Sequence, residues 1–144
     1  MVMEGDIAGP YSEAAIGRVL RDWPQLVAAV PGVAQLTCED RSFSGNLVLA
    51  LPFGQLRCRL SGEVQQQSGD GLVIAAKGRA VTLAGAFEAR VTASRLPFGG
   101  GLHYAISLTT SGRLASLGES MLSNVSATQA PQFERSVRLL LEQA

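Results

Sequence analysis

The residue types able to do chemistry are few in this sequence, and their spacing separates them. There are two cysteines, Cys38 and Cys58, and a single histidine, His103. A cysteine nucleophile needs a base beside it, most often histidine, to draw off the thiol proton. Cys58 lies in "QLRCRLSGEV", which alternates with period two. Leu56, Cys58, Leu60 and Val64 share one face, and Arg57, Arg59, Ser61 and Glu63 share the other. In "LHYAISL" the same alternation puts Leu102, Tyr104, Ile106 and Leu108 on the dry face and His103 on the wet one. Thiol and imidazole therefore point to opposite sides. Glu63 and Glu88 also alternate outward. Acid–base catalysis needs titratable groups facing the substrate, and the inner face is almost wholly apolar, so no catalytic residue is expected. The cysteines form no C-x-x-C pair and His103 has no spaced partner, so no metal site and no cofactor are expected either.

What the inner face offers instead is a lining for something apolar. The candidate ligand-binding residues are Leu60, Ile74, Phe87, Tyr104 and Ile106 on strands, with Leu114, Leu117, Gly118, Met121 and Val125 on a helix. Gly118 is the odd member, because glycine inside a helix costs about 1 kcal/mol relative to alanine. Either it opens a pocket, or it permits close contact between helix and sheet with nothing between. The modest facing side chains Leu47, Leu49, Leu60, Ile74, Leu83 and Val91 leave space that aromatics would fill, which favours the pocket. A buried phenol finds a hydrogen-bond partner. Tyr104 could orient a ligand carbonyl, although an ordinary core tyrosine bonded to backbone is the favoured reading. Phe53 and Phe98 occupy two copies of the tetrapeptide LPFG, at 51–54 and 96–99. In a simple meander these turns lie at opposite ends of the sheet. Both rings are expected to fold back over the cavity mouth.

The elements that must position these residues follow from the rest of the chain. Its 144 residues suit one domain, 1–144, large enough to enclose a core. The composition is 47% hydrophobic but only 6% aromatic, so that core is aliphatic. Twelve basic and twelve acidic residues cancel, without the basic footprint of a nucleic-acid binder. Two thiols imply no disulfide framework, and a reducing cytoplasmic setting is the default. The N-terminus has no signal-peptide pattern, and no apolar run approaches the roughly 20 residues of a membrane span. Residues 2–8 read as a strand closed by Gly9-Pro10. Ser12 caps a helix through about Leu20, with Ile16, Val19 and Leu20 inward. Asp22 caps a second short helix, with Pro24 in its first turn, that Pro31-Gly32 stops. About six antiparallel strands follow, with turns at Pro52–Gly54, Ser68–Gly71, Ala80–Thr82 and Leu96–Gly101. A helix from about Gly112 to Glu142 ends the chain. Its apolar stripe runs 114, 117, 121, 125, then 133, 137, 140, and Pro131 lies in the gap as a kink that re-aims the second half. The fold class is thus α+β: a curved antiparallel sheet of six to seven strands around a long C-terminal helix, with two short N-terminal helices.

Several stretches together carry a resemblance. These are "MEGDIAGPYSEAAIGRVLRD", "LVAAVPGVAQL" with Pro31-Gly32, "FSGNLVLALPFGQLRCRLSGEV" with Gly45 and Gly62, and the last third with Gly112, Leu114, Leu117, Gly118 and Phe133. The chain resembles the carbon monoxide dehydrogenase G-subunit family of the START/polyketide-cyclase helix-grip superfamily, over nearly its whole length. Family members usually carry bulk such as tryptophan in the first helix, where this chain has Ile16. The resemblance implies a hydrophobic cavity between sheet and long helix for an apolar or amphipathic, quinone- or lipid-like guest. It also implies an accessory role beside a molybdenum hydroxylase of the carbon monoxide dehydrogenase type. Longer members carry a C-terminal extension held to reach the membrane. This sequence stops at Ala144, so any contact is expected to be peripheral, at the inner membrane face. Two alternatives stand: a cyclase- or hydratase-type enzyme of the same superfamily, or a ligand-free assembly factor with a filled core.

Overall fold

A computed structural model of the chain describes residues 2–51, 54–81, 85–113, 115 and 119–144, the side chains of 119–122 and 126 excepted. Strand β1 (Val2–Ala8) leads into helices α1 (Glu13–Arg21) and α2 (Trp23–Ala28). Six strands follow: β2 (Val33–Glu39), β3 (Ser42–Leu51), β4 (Gly54–Gln67), β5 (Gly71–Ala80), β6 (Gly85–Arg95) and β7 (Gly101–Gly112). Helix α3 (Glu119–Gln143) comes last. The strands form one antiparallel sheet in the order β1-β7-β6-β5-β4-β3-β2. Six of them are a meander in chain order. The first strand alone crosses over, pairing with the last in the register Gly5 to Tyr104 and Asp6 to His103.

The local reasons are visible in the sequence. The Ser12 hydroxyl accepts from the Ala15 amide at 3.1 Å and starts α1, whose Ile16, Val19 and Leu20 are buried. Asp22 holds the cap position of α2 with Pro24 in the first turn, but its side chain makes no capping bond, contrary to the sequence expectation; its backbone amide instead closes α1 on Arg18 and Val19. Gly32 ends the helical pair at φ +91°, where a Cβ would sit 2.2 Å from the Val48 carbonyl oxygen. Only glycine allows the chain to enter β2 so close to β3.

The described span of the last helix is Glu119–Gln143, and residues 114 and 116–118, where the sequence places its opening, lie outside the described residues. Strand β7 runs further than the sequence expectation, to Gly112, with Thr109, Thr110 and Ser111 paired to Glu88, Phe87 and Ala86. β-branched threonines suit a strand. The helix runs through Pro131, and its inward residues Val125, Gln129, Phe133, Val137 and Leu141 follow in steps of four. Gln129 fills what looks like a gap when only apolar residues are counted. Leu141, not Leu140, closes the series: Leu141 is buried and Leu140 half-buried. Steps of four drift by about 40° each on a 3.6-residue helix, so the stripe winds around α3. The helix accordingly touches β3, β1 and α1.

The three helices cover one face of the sheet. The opposite face is wet and charged, with Arg57, Arg59, Lys77, Arg79, Glu63 and Glu88 exposed. There Arg59 lies directly across from Arg79.

Candidate functional site

Between sheet and α3 lies a cavity of about 150 Å³. Of the candidate residues, Leu60, Ile74, Phe87, Tyr104, Ile106 and Val125 line it together. Leu114, Leu117 and Gly118 lie outside the described residues, as does the Met121 side chain. Leu47, Leu49 and Val91 also line the space, while Leu83 lies outside the described residues. Leu26, Val27 and Val30, at and just beyond the end of α2, close another side.

A packed core would bury every inward side chain. Here Ile7, Leu72, Ile74 and Leu102 are sealed from solvent, yet the inward-facing Leu47, Leu49, Ala89, Val91, Ile106, Leu108 and Val125 are only half-buried. All seven line the unfilled space, as the sealed Leu72, Ile74 and Leu102 also do. Small residues help to make it: Ala76 and Ala89 sit opposite each other on β5 and β6, and both line the cavity. Phe87 does not reach far into the space, since its ring lies over Gly78, where a Cβ would meet it at 2.0 Å.

Tyr104 is 1% exposed, and its hydroxyl donates to Glu134 Oε1 at 2.7 Å. The partner is a carboxylate on α3, not the backbone acceptor expected from sequence. Gly5, the cross-strand neighbour of Tyr104, makes the room, for a Cβ there would stand 2.7 Å from that oxygen. Phe133 packs edge-on against the Tyr104 ring at 5.0 Å between centroids. Burial first, and then the hydrogen bond and charge of Glu134, push the Tyr104 phenol well above its ordinary value. It is a poor acid and, with its proton engaged, a poor base. Sequence reasoning misses Glu134; the one signal for it is a carboxylate flanking the buried Phe133 on the helix.

Among the described residues the polar groups at the cavity wall are Tyr104, Thr92 and Gln129, and no described Lys, Arg, His, Asp or Glu lines it. Gln129 escapes a search for apolar stripes because it is polar. Cys58 is buried behind the wall, and burial raises its thiol pKa. Cys38 is exposed on β2, and both thiols are free. His103 lies on the outer face as expected, its Nδ1 2.6 Å from Asp6 Oδ1 and its Nε2 3.7 Å from Glu4 Oε2. Among the described residues no cluster of His, Cys, Asp and Glu is arranged to hold a metal. Phe98 corrects another expectation. It is fully exposed and does not fold back over the cavity. Gly99 and Gly100, at φ +80° and +79°, reverse the chain just after it and leave the ring at the apex. Phe53 lies outside the described residues.

The family model for the carbon monoxide dehydrogenase G subunit (CoxG) matches residues 5–139. The chain belongs to this family. CoxG membership agrees with the sequence resemblance over nearly the same span. No curated protein matches the chain. Among solved structures it is similar to a conserved protein from Geobacillus kaustophilus, at 16% identity and TM-score 0.80, covering 99% of this chain and 96% of that one. A protein of Thermus thermophilus matches at 13% identity and TM-score 0.63, covering 99% and 98%. A hypothetical protein from Helicobacter pylori matches at 11% identity and TM-score 0.64, covering 99% and 87%. At these identities the likeness establishes the fold, a helix-grip arrangement of seven-stranded antiparallel sheet and C-terminal helix, and not the ligand. Among the described residues no helix is long and apolar enough to cross a membrane.

Proposed function

We propose that this CoxG-family chain is a non-catalytic binding protein that holds an apolar or amphipathic guest between its sheet and α3. The observation that carries this reading is the unfilled cavity of about 150 Å³, with an almost wholly apolar wall. An apolar cavity of that size in another protein stays dry and accepts benzene. A single ring or a short alkyl segment therefore fits here, and a quinone- or lipid-like molecule would be held by that part. Family membership supports an accessory role beside a carbon monoxide dehydrogenase-type molybdenum hydroxylase. The free thiols suit a reducing cytoplasm, with contact at the inner membrane face the place where such a guest would be exchanged.

The test is to purify the protein without detergent and examine it by native mass spectrometry and organic extraction. A bound apolar molecule, or a thermal shift with short-chain quinones, is expected. A chain that stays empty and shows no shift would favour the ligand-free assembly factor. The enzyme reading draws on the Tyr104–Glu134 pair alone. Turnover of an ester or polyketide-like substrate, abolished by Tyr104→Phe, would establish it against the reading proposed here.

A further inference from the structure

The binding reading leaves open what kind of head group an amphipathic guest carries, and the wall bears on this. Among the described residues its lining holds no cation. A carboxylate brought to such a wall gives up hydration with nothing charged to replace it. It would also approach the negative end of Glu134, which is hydrogen-bonded to the lining residue Tyr104. The Tyr104 hydroxyl already donates its hydrogen bond to Glu134. Gln129 is different. It lies on α3 one step of four from Val125 and from Phe133, lines the cavity, and is half-buried, so it joins the apolar interior to the solvent. No described residue hydrogen-bonds its side chain. Its amide offers donors and an acceptor together, which suits a hydroxyl or carbonyl head and neutralises no charge.

Resting on the binding reading, we propose that Gln129 makes the cavity selective for guests with a neutral polar head, and that carboxylates of the same size are rejected. The apolar body of the guest then lies toward Ile74 and Ile106, with its head at Gln129.

Toluene, benzyl alcohol and benzoate share one ring and differ in the head. Each is titrated into the protein at neutral pH by calorimetry. Toluene and benzyl alcohol should bind, and benzoate should bind at least tenfold more weakly than the alcohol. Gln129→Leu should cut the alcohol's affinity relative to toluene by about threefold to tenfold, the range of one ordinary hydrogen bond. Gln129→Lys should raise benzoate affinity. Benzoate binding as tightly as benzyl alcohol while toluene also binds would overturn the head-group selection and leave the binding reading standing. An unchanged alcohol-to-toluene ratio in Gln129→Leu would overturn the role of Gln129. If not even toluene binds, the binding reading fails and this inference fails with it.

Discussion

Replacing Ala89 by leucine adds three carbons at a point where the wall is thin. The Ala89 side chain lines the cavity and is half-buried, between Ala76 on β5 and Leu108 on β7. If the space of about 150 Å³ is open, the new side chain enters it without displacing neighbours. Each buried methylene is worth about 0.8 kcal/mol, so three give about 2.4 kcal/mol at most. Fixing the leucine rotamer takes back about 0.5–1 kcal/mol. The net expectation is about 1.5 kcal/mol of added stability. At about 2–4 °C per kcal/mol for a domain of this size, the melting midpoint should rise by roughly 3–6 °C. Thermal melts of the two proteins without ligand measure it. A second readout separates filling from general stiffening: saturating toluene should raise the midpoint of the wild type, through its binding free energy, and should do so little or not at all in Ala89→Leu. The reasoning is refuted if the variant loses about 1–3 kcal/mol, the ordinary result of overpacking a filled core. Small side chains on β6 would then serve close contact, as the alternative reading of Gly118 has it for the helix.

Tyr104→Phe removes the donor to Glu134 and should change the alkaline limb of stability. The folded-state pKa of Tyr104 is raised, so folded and unfolded chains hold the proton equally below pH about 10, and stability from this group falls as pH rises beyond that ordinary value. Denaturant melts from pH 9 to 11 should show a steeper loss in the wild type than in the variant; parallel curves would contradict the buried pair. Iodoacetamide should label exposed Cys38 quickly and Cys58 only on a timescale of opening, by mass mapping; equal rates would contradict the burial of β4. Arg79→Glu should stabilise by about 0.2–1 kcal/mol at low salt by converting the cross-strand Arg59–Arg79 pair into an attractive one. A loss of stability, or a gain that high salt leaves unchanged, would contradict that register.

Much of this molecule is legible in sequence because its patterns are local. The alternation of Leu56, Cys58, Leu60 and Val64 is a property of neighbouring residues, and the structure buries all four. Ser12 announces the helix that follows it, capping the amide of Ala15 three residues ahead. What stays hidden is decided elsewhere in the chain. The last residues of β7, Thr109 to Gly112, carry no apolar alternation of their own, and what makes them strand is their pairing with β6. Gln129 is invisible as a wall residue because a stripe search counts apolar types, and the gap it leaves is readily ascribed to Pro131. The carboxylate partner of Tyr104 is thirty residues away and depends on Gly5 of a third element for its room. Six of the candidate lining residues are found because inward alternation is enough to place a side chain on the cavity wall.

The central claim is that an apolar guest enters between the sheet and α3, and methyl NMR tests it most directly. The protein is labelled at Ile, Leu and Val methyl groups and titrated with benzyl alcohol. The account predicts saturable shifts at Ile74, Ile106 and Val125, with one guest per chain, and little change at the exposed Val2 and Leu139. Unmoved cavity methyls, or shifts confined to the surface, would contradict it.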